Sequence, residues 1–120
     1  MRRALLASLL LAAGACALAR PAQQPRPADY LESALEAQAA GDIELAAARA
    51  AAVGADESSA VGRMALLLQA MLALDPRNPE RSPKQGAVLA ARYLETGQDG
   101  ANAAVARFLY AMALDLGAAP

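Results

Sequence analysis

The segment from residue 60 to 74 constrains the fold most, because nearly all of its side chains are apolar. Its apolar residues recur at steps of three and four, which predicts one broad stripe along a helix: Val61, Met64, Ala65, Leu68, Met71 and Leu72. Three more leucines widen the stripe, leaving Arg63, Gln69 and small residues to face water. We therefore expect this helix at the centre of a small helical domain, covered on most sides.

The composition favours helices over strands. The 120 residues suit one domain, and they are rich in alanine and leucine, with one Phe, three Tyr and no Trp. Alanine has the highest helix propensity, and few β-branched or aromatic runs are present to form strands. The sequence thus predicts an all-α fold, a compact bundle of about five short antiparallel helices. Its stability should be modest, because alanine buries little apolar area.

Charge and residue types argue against several classes of function. With 11 basic and 12 acidic residues, no predicted helix carries the basic face that nucleic acid requires. The chain has no histidine, which removes histidine-based nucleophiles and histidine-ligated zinc. Glu32 and Glu36 share one helix face, which we interpret as a solvated acidic surface. We expect a protein that is not an enzyme and that has no cofactor, metal or nucleic-acid partner.

Residues 1–19 have the three parts of an export signal. Arg2 and Arg3 supply the positive start, residues 4–13 the apolar stretch, and small residues follow. The apolar stretch is shorter than the roughly 20 residues that a membrane-spanning helix needs. We therefore predict a signal peptide and an exported protein.

Two processing routes remain open at the end of this signal peptide. Residues 12–16 read AAGAC and resemble the lipobox of bacterial lipoproteins, although Ala13 stands where leucine is usual. The resemblance implies lipidation of Cys16 and, with Ala17 after it, anchoring at the periplasmic side of the outer membrane. The rival is cleavage after Ala19 at an Ala-x-Ala sequence, which would discard Cys16 and give a soluble periplasmic protein. We favour lipidation, because a single cysteine has no partner for an internal disulfide.

A proline-rich linker and one helical domain follow. Residues 20–27, RPAQQPRP, hold three prolines, which fix φ and remove amide donors, so this linker should be extended. Residues 28–117 then form the helical domain. Residues that cap or end helices divide this domain into five predicted helices. The predicted N-terminal caps are Asp29 with Glu32 for the first helix, Asp42 for the second, one of Asp56, Ser58 and Ser59 for the third, and Ser82 with Gln85 for the fourth.

Apolar spacing predicts which side of each surrounding helix is buried. The predicted buried residues are Tyr30, Leu31, Ala34, Leu35 and Ala37 in the first helix; Ile43, Ala46, Ala47, Ala50 and Val53 in the second; Ala87, Val88, Ala91 and Leu94 in the fourth; and Val105, Phe108, Leu109, Met112 and Leu116 in the fifth. The fifth helix has the most regular stripe. Tyr93 is expected at the edge of the fourth.

The first two predicted helices resemble a tetratricopeptide repeat over roughly residues 27–60. The residues that carry the resemblance are Tyr30 as the first aromatic, Ala34 and Ala46 as the small positions, and Gly41-Asp42 as the turn. Ser33, Ala37 and Ala50 depart from the pattern, which usually has larger residues there. The resemblance implies an antiparallel helical hairpin of the kind that packs side by side with others.

Two tyrosines are candidate partner contacts. Tyr110 lies off the stripe of the fifth helix, and Tyr93 lies at the edge of the fourth. Each ring could simply pack on a neighbouring helix with its hydroxyl in water. Alternatively it could anchor a partner protein, a role in which tyrosine is over-represented.

Two functions are consistent with these patterns. The first is a small exported lipoprotein, attached to the membrane through lipid on Cys16, that binds another envelope protein as an interaction or scaffold module. The alternative is a soluble periplasmic helical protein with a pocket for an apolar small ligand. The sequence leaves the identity of the partner and the oligomeric state open.

Overall fold

The computed structural model describes residues 25–53 and 56–119, which form five helices and no strand. The helices are α1 (Pro27–Ala39), α2 (Ile43–Ala52), α3 (Ala60–Leu74), α4 (Pro83–Glu95) and α5 (Ala101–Ala118). The all-α prediction is confirmed. Pro27, predicted to end the linker, is instead the first residue of α1. The predicted signal peptide, which contains Cys16, and residues 20–24 of the predicted linker lie outside the described residues.

Helix α3 is the central element, as its apolar sequence predicts. It packs against each of the other four helices, whereas within the described residues α1 and α2 contact neither α4 nor α5. Its buried residues lie on most sides of the helix: Gly62, Ala65, Leu66, Leu67, Leu68, Ala70, Leu72, Ala73 and Leu74. Met71, predicted to be part of the buried stripe, is 37% exposed.

The core consists of two clusters that α3 divides. The N-terminal cluster joins α1 and α2 to one side of α3: Ala34, Ala37, Ile43, Ala46, Ala50, Leu68 and Leu72. The C-terminal cluster joins α4 and α5 to its other side: Leu66, Leu67, Ala70, Ala73, Leu74, Leu89, Ala90, Tyr93, Ala106, Leu109 and Ala113. Gln69, between the two sides, donates a hydrogen bond from Nε2 to the Ala50 carbonyl near the end of α2, at 3.3 Å. The two halves therefore meet through α3 alone among the described helices.

The start of α1 differs from the predicted capping box. The N-cap is Arg26, and Asp29 lies three residues inside the boundary, where its carboxylate accepts a hydrogen bond from the Arg26 amide at 2.9 Å. Pro27 accounts for the shift, because its fixed φ suits the first helical position and it has no amide to satisfy. Asp42 caps α2 as predicted and accepts from the Leu45 amide.

Serine caps begin the next two helices. Ser59 accepts from the Gly62 amide at the start of α3, and Ser82 accepts from the Gln85 amide at the start of α4. The reciprocal half of the predicted Ser82–Gln85 box is absent from the described contacts, because the Ser82 amide donates instead to the Ala73 carbonyl at 2.9 Å. That hydrogen bond attaches the start of α4 directly to the last turn of α3.

The buried face of α4 is rotated by one residue from the prediction. The buried residues are Gly86, Leu89, Ala90 and Tyr93, while Val88 is 47% exposed. Gly86 and Ala90 form the small-residue surface that lets α4 approach α3: a Cβ at Gly86 would lie 2.7 Å from Cδ2 of Leu74. The prediction was wrong at Val88, whereas Ala87 and Leu94, also predicted to be buried, lie half-buried against the C-terminal cluster.

The same error occurs on the other helices. Helix α5 buries Ala103, Ala106, Leu109 and Ala113, and leaves Val105 and Phe108, both predicted to be buried, 40% and 66% exposed. Met112 and Leu116 lie half-buried at the edge of the C-terminal cluster. Leu35 in α1 and Ala47 in α2 are also exposed against prediction. Close helix packing through alanine moves these larger side chains outward.

Two helical glycines give a matched test of this packing. Replacing Gly62 with alanine would place its Cβ 1.8 Å from the backbone oxygen of Asp56, whereas a Cβ at Gly117 would make only an ordinary contact with Pro83 at 3.8 Å. We expect Gly62→Ala to lower the free energy of unfolding by about 1–3 kcal/mol through overpacking. Gly117→Ala should leave it unchanged or raise it by up to about 0.5–1 kcal/mol, through helix propensity.

Urea unfolding, monitored by circular dichroism, gives the free energy of unfolding of both variants. Equal effects of the two substitutions would contradict the close approach of α3 to the turn before it.

Candidate interaction surfaces

Exposed apolar side chains are concentrated on α5. The large apolar residues that the described structure leaves exposed are Leu35, Leu45, Met71, Val88, Val105, Phe108, Tyr110 and Leu114. Each of the first four helices contributes one, and α5 contributes the remaining four. Phe108 is the most exposed at 66%, followed by Leu114 at 51%. Isolated exposed apolar residues are ordinary, but several on one helix indicate an interaction site.

One side of α5 faces away from every other described helix. Its residues are Ala104, Arg107, Phe108, Ala111, Leu114, Asp115 and Ala118, all exposed, and we call this set the α5 outer face. Successive members are three, one, three, three, one and three residues apart, which places them on a single helix face. Arg107 and Asp115 are the charged members, and neither forms an ion pair within the described residues.

The two candidate tyrosines have different environments. Tyr110 is 38% exposed and lies one turn before Leu114, at the border of the α5 outer face. Tyr93 is only 3% exposed and belongs to the C-terminal cluster. Its expected position at a helix edge was wrong, because rotation of α4 turns it inward. In this conformation Tyr93 cannot reach a partner, so Tyr110 alone remains a candidate contact.

A cleft opens between α2 and α4, with α3 as its floor. Its volume is about 490 Å³, and six of its twelve lining residues are polar or charged: Glu44, Gln69, Asn78, Glu80, Ser82 and Gln85. The volume falls in the range typical of small-molecule sites, about 300–1,000 Å³. The mixed lining, with carboxylates from Glu44 and Glu80, does not suit the purely apolar ligand that the sequence suggested.

A second cleft lies between α3 and α5, next to the end of α1. It has a volume of about 420 Å³ and is lined chiefly by Met71, Leu74, Leu109 and Met112, with Gln38 and residues 75–77 at its border. Methionine side chains are flexible and common at binding surfaces that accept varied partners. The exposure of Met71 is explained by this cleft, which it lines.

The loop between α3 and α4 is fixed by its own side chains. Asn78 donates from Nδ2 to the Leu72 carbonyl at 2.8 Å and accepts from the Glu80 amide at 2.9 Å. Asp75 accepts from Nε and Nη2 of Arg77, at 3.1 and 2.8 Å, and also from the Arg77 amide at 2.9 Å. These hydrogen bonds from the Arg77 side chain and backbone hold the pKa of the Asp75 carboxyl below its ordinary value of 3.8. The loop therefore forms a defined border to both clefts.

A second group of contacts joins the turn before α3 to α4. Arg92 forms an ion pair with Glu57, and Arg63 donates to the carbonyls of Glu57 and Ser58 at 3.1 and 2.9 Å. In the same turn the Ser58 hydroxyl and amide lower the pKa of Asp56. Arg63 and Arg92 thus both bind this one turn, whereas Arg107 lies on the α5 outer face. These contacts are structural.

Comparisons of the chain with family models, with curated proteins and with solved structures find no match. The resemblance of α1 and α2 to a tetratricopeptide repeat therefore stays a prediction. Within residues 25–53 and 56–119, no helix is both long and apolar enough to cross a membrane, and no three possible metal ligands come together.

The α5 outer face is the surface that sequence reasoning missed. The regular spacing of Val105, Phe108 and Met112 predicts a buried stripe, but a period alone does not say which side of the helix faces the bundle. The alanines did not distinguish the two sides, because Ala103, Ala106 and Ala113 lie on the buried side and Ala104, Ala111 and Ala118 on the exposed side, both sets recurring at helical spacing.

The contact between Asp75 and Arg77 predicts acid sensitivity. A folded-state pKa below 3.8 means that the unfolded chain binds the proton more readily, so this contact stabilises the fold above pH 3.8 and loses its effect as the pH falls further. We expect Asp75→Asn to lower the free energy of unfolding at pH 6 by about 1 kcal/mol, and the difference from wild type to shrink below pH 3.8.

Urea titrations between acidic and neutral pH measure this difference. Glu36→Gln is the matched control, because Glu36 is exposed on α1 and forms no ion pair among the described residues. A constant difference for Asp75→Asn at every pH would contradict the assignment.

Proposed function

We propose that this chain is a small exported bacterial lipoprotein whose helical domain binds another protein at the periplasmic side of the outer membrane. The observation that carries the proposal is the α5 outer face, an exposed helix surface with Phe108 66% and Leu114 51% accessible. A monomeric domain of this size gains nothing from exposing a phenylalanine, whereas an interface needs such an anchor.

The chemistry of this face suits a protein surface better than a small molecule. It is convex and formed by one helix, so it could not enclose a ligand as a pocket does. Alanines at 104, 111 and 118 leave room for close approach by another helix, and Tyr110 and Val105 flank the face with further apolar area. Arg107 and Asp115 would set the orientation of a partner through complementary charges.

The export half of the proposal is supported by the sequence of residues 1–19 and by its lipobox-like end at Cys16. Ten residues separate Cys16 from the first residue of α1, Pro27. By covalent geometry they can reach at most about 35 Å. Lipid on Cys16 would therefore keep the helical domain close to the membrane while leaving it free to turn. We also propose that α1 and α2 are a hairpin of the tetratricopeptide type.

A second candidate function is favoured by one observation, the cleft of about 420 Å³ between α3 and α5. Met71, Leu74, Leu109 and Met112 give it the apolar lining that an apolar small ligand requires. In this alternative the chain is cleaved after Ala19 and is soluble in the periplasm. The mature mass separates the two functions, because only the first leaves lipid on Cys16.

One experiment tests both halves of the first proposal. The full chain with a C-terminal tag is expressed in a bacterium together with an untagged copy of the same chain. Cells are fractionated, the membranes are solubilised, and the tagged protein is captured with whatever is bound to it. We expect wild type in the membrane fraction and Cys16→Ala in the soluble fraction. Phe108→Ser should stay in the membrane fraction but capture its partner at least about 30-fold less, the effect of losing a binding hot spot of about 2 kcal/mol.

Leu35→Ser is the matched control, since it removes a 45% exposed apolar residue from α1, which does not contact α5. It should change neither localisation nor capture. A membrane-bound Cys16→Ala protein would contradict the anchor, and undiminished capture by Phe108→Ser would contradict the binding surface.

A further inference from the structure

The α5 outer face has a symmetrical order of residues. Read in either direction from Ala111, the members of the α5 outer face follow steps of three, one and three residues: Ala104, Arg107, Phe108, Ala111, Leu114, Asp115 and Ala118. Each residue of the face before Ala111 has a counterpart the same number of residues after Ala111. The counterparts are complementary in chemistry, since Arg107 corresponds to Asp115, Phe108 to Leu114, and Ala104 to Ala118.

Such an order is what a two-fold axis requires. In a symmetric dimer the same patch is used by both protomers, so residue i contacts residue j and j contacts i. If two copies of α5 crossed antiparallel with the axis at Ala111, each Arg107 would face the other copy's Asp115. Each Phe108 would pack against the other copy's Leu114, and small residues would lie at the centre and ends.

We propose that the partner of the α5 outer face is a second copy of this chain, paired antiparallel about Ala111. The pairing covers Phe108 and Leu114, the two most exposed large apolar side chains among the described residues. It also gives Arg107 and Asp115 the ion-pair partners that they lack within one described chain. This inference rests on the proposed function, because it identifies the protein that binds the same surface.

The charges select this arrangement over a parallel one. Parallel helices in register would place Arg107 against Arg107 and Asp115 against Asp115, and like charges in contact are repulsive. An interface built from one helix face of each copy belongs to the small class, below about 1,200 Å² in total, whose complexes are weak and transient. We therefore expect a dimer that depends on concentration, favoured where lipid anchoring gathers the chains on a membrane.

Site-directed crosslinking tests the position of the axis. Protein is purified in mild detergent from cells that express the full chain carrying Ala111→Cys, and is treated with a short bis-maleimide. The two 111 positions meet at the axis, so we expect a product of twice the monomer mass. Ala104→Cys is the matched control on the same face, because the two 104 positions would be separated by 14 residues of helix, about 21 Å along the axis. The Ala104→Cys protein should give at least ten-fold less crosslinked dimer. The wild-type protein shows how much crosslinked dimer arises through Cys16.

Charge reversal tests the pairing. In the Ala111→Cys protein, Arg107→Asp alone and Asp115→Arg alone should each lower the crosslinked product several-fold, because each creates two like-charge pairs. The double variant Arg107→Asp with Asp115→Arg should restore it. Arg49→Asp makes the same change of charge on α2, which does not contact α5, and should have no effect.

Any other outcome would contradict the proposed dimer. Equal products from Ala111→Cys and Ala104→Cys would mean random collision, and failure of the double variant to restore the product would mean a different register. A crosslinked product of another mass would show a different protein on this face, which ends the inference but leaves the proposed function standing. The proposed function itself is contradicted by a membrane-bound Cys16→Ala protein or by undiminished capture by Phe108→Ser.

Discussion

The packing of α3 between two clusters is the interaction on which the rest of the structure depends. Leu68 and Leu72 face α1 and α2, whereas Leu66, Leu67 and Leu74 face α4 and α5. Because the outer pairs of helices do not touch each other among the described residues, neither pair could bury its apolar side without α3. Helix α3 is too apolar to face water on its own. Each of the other four helices has one apolar side, which is buried when the helix covers α3.

Alanine determines how that cover is made. Ala34, Ala46, Ala50, Ala90 and Ala106 are completely buried, so helix backbones come close and the larger side chains are left at the edges or outside. This close packing through alanine buries little apolar area per residue, and it also leaves the large apolar side chains of Phe108 and Leu114 on the surface. The thin core and the exposed α5 outer face are thus two results of one packing mode, and the exposed face is what gives the domain a means of binding proteins.

Sequence reasoning predicted the elements better than their orientation. The bounds of α3, its central position, and the caps at Asp42, Ser59 and Ser82 follow from local signals, since propensity, capping and proline act within a few residues. The buried faces of α4 and α5 could not be predicted from such local signals. Where alanines and large residues both recur at helical spacing, the pattern marks two sides of the helix, and only contact with a neighbour decides between them. The α5 surface was missed for that reason.

Native-state hydrogen exchange tests the central claim most directly, because it measures the free energy of opening at each amide. If α3 holds the two halves together, the slowest amides of α2, α3 and α4 should exchange with one common free energy, equal to that of global unfolding. The amides at the centre of α3, around Leu68, should be among those that reach this limit. Exchange of α1 and α2 at a much lower free energy, with α3 to α5 still protected, would show two independent units and would contradict the account.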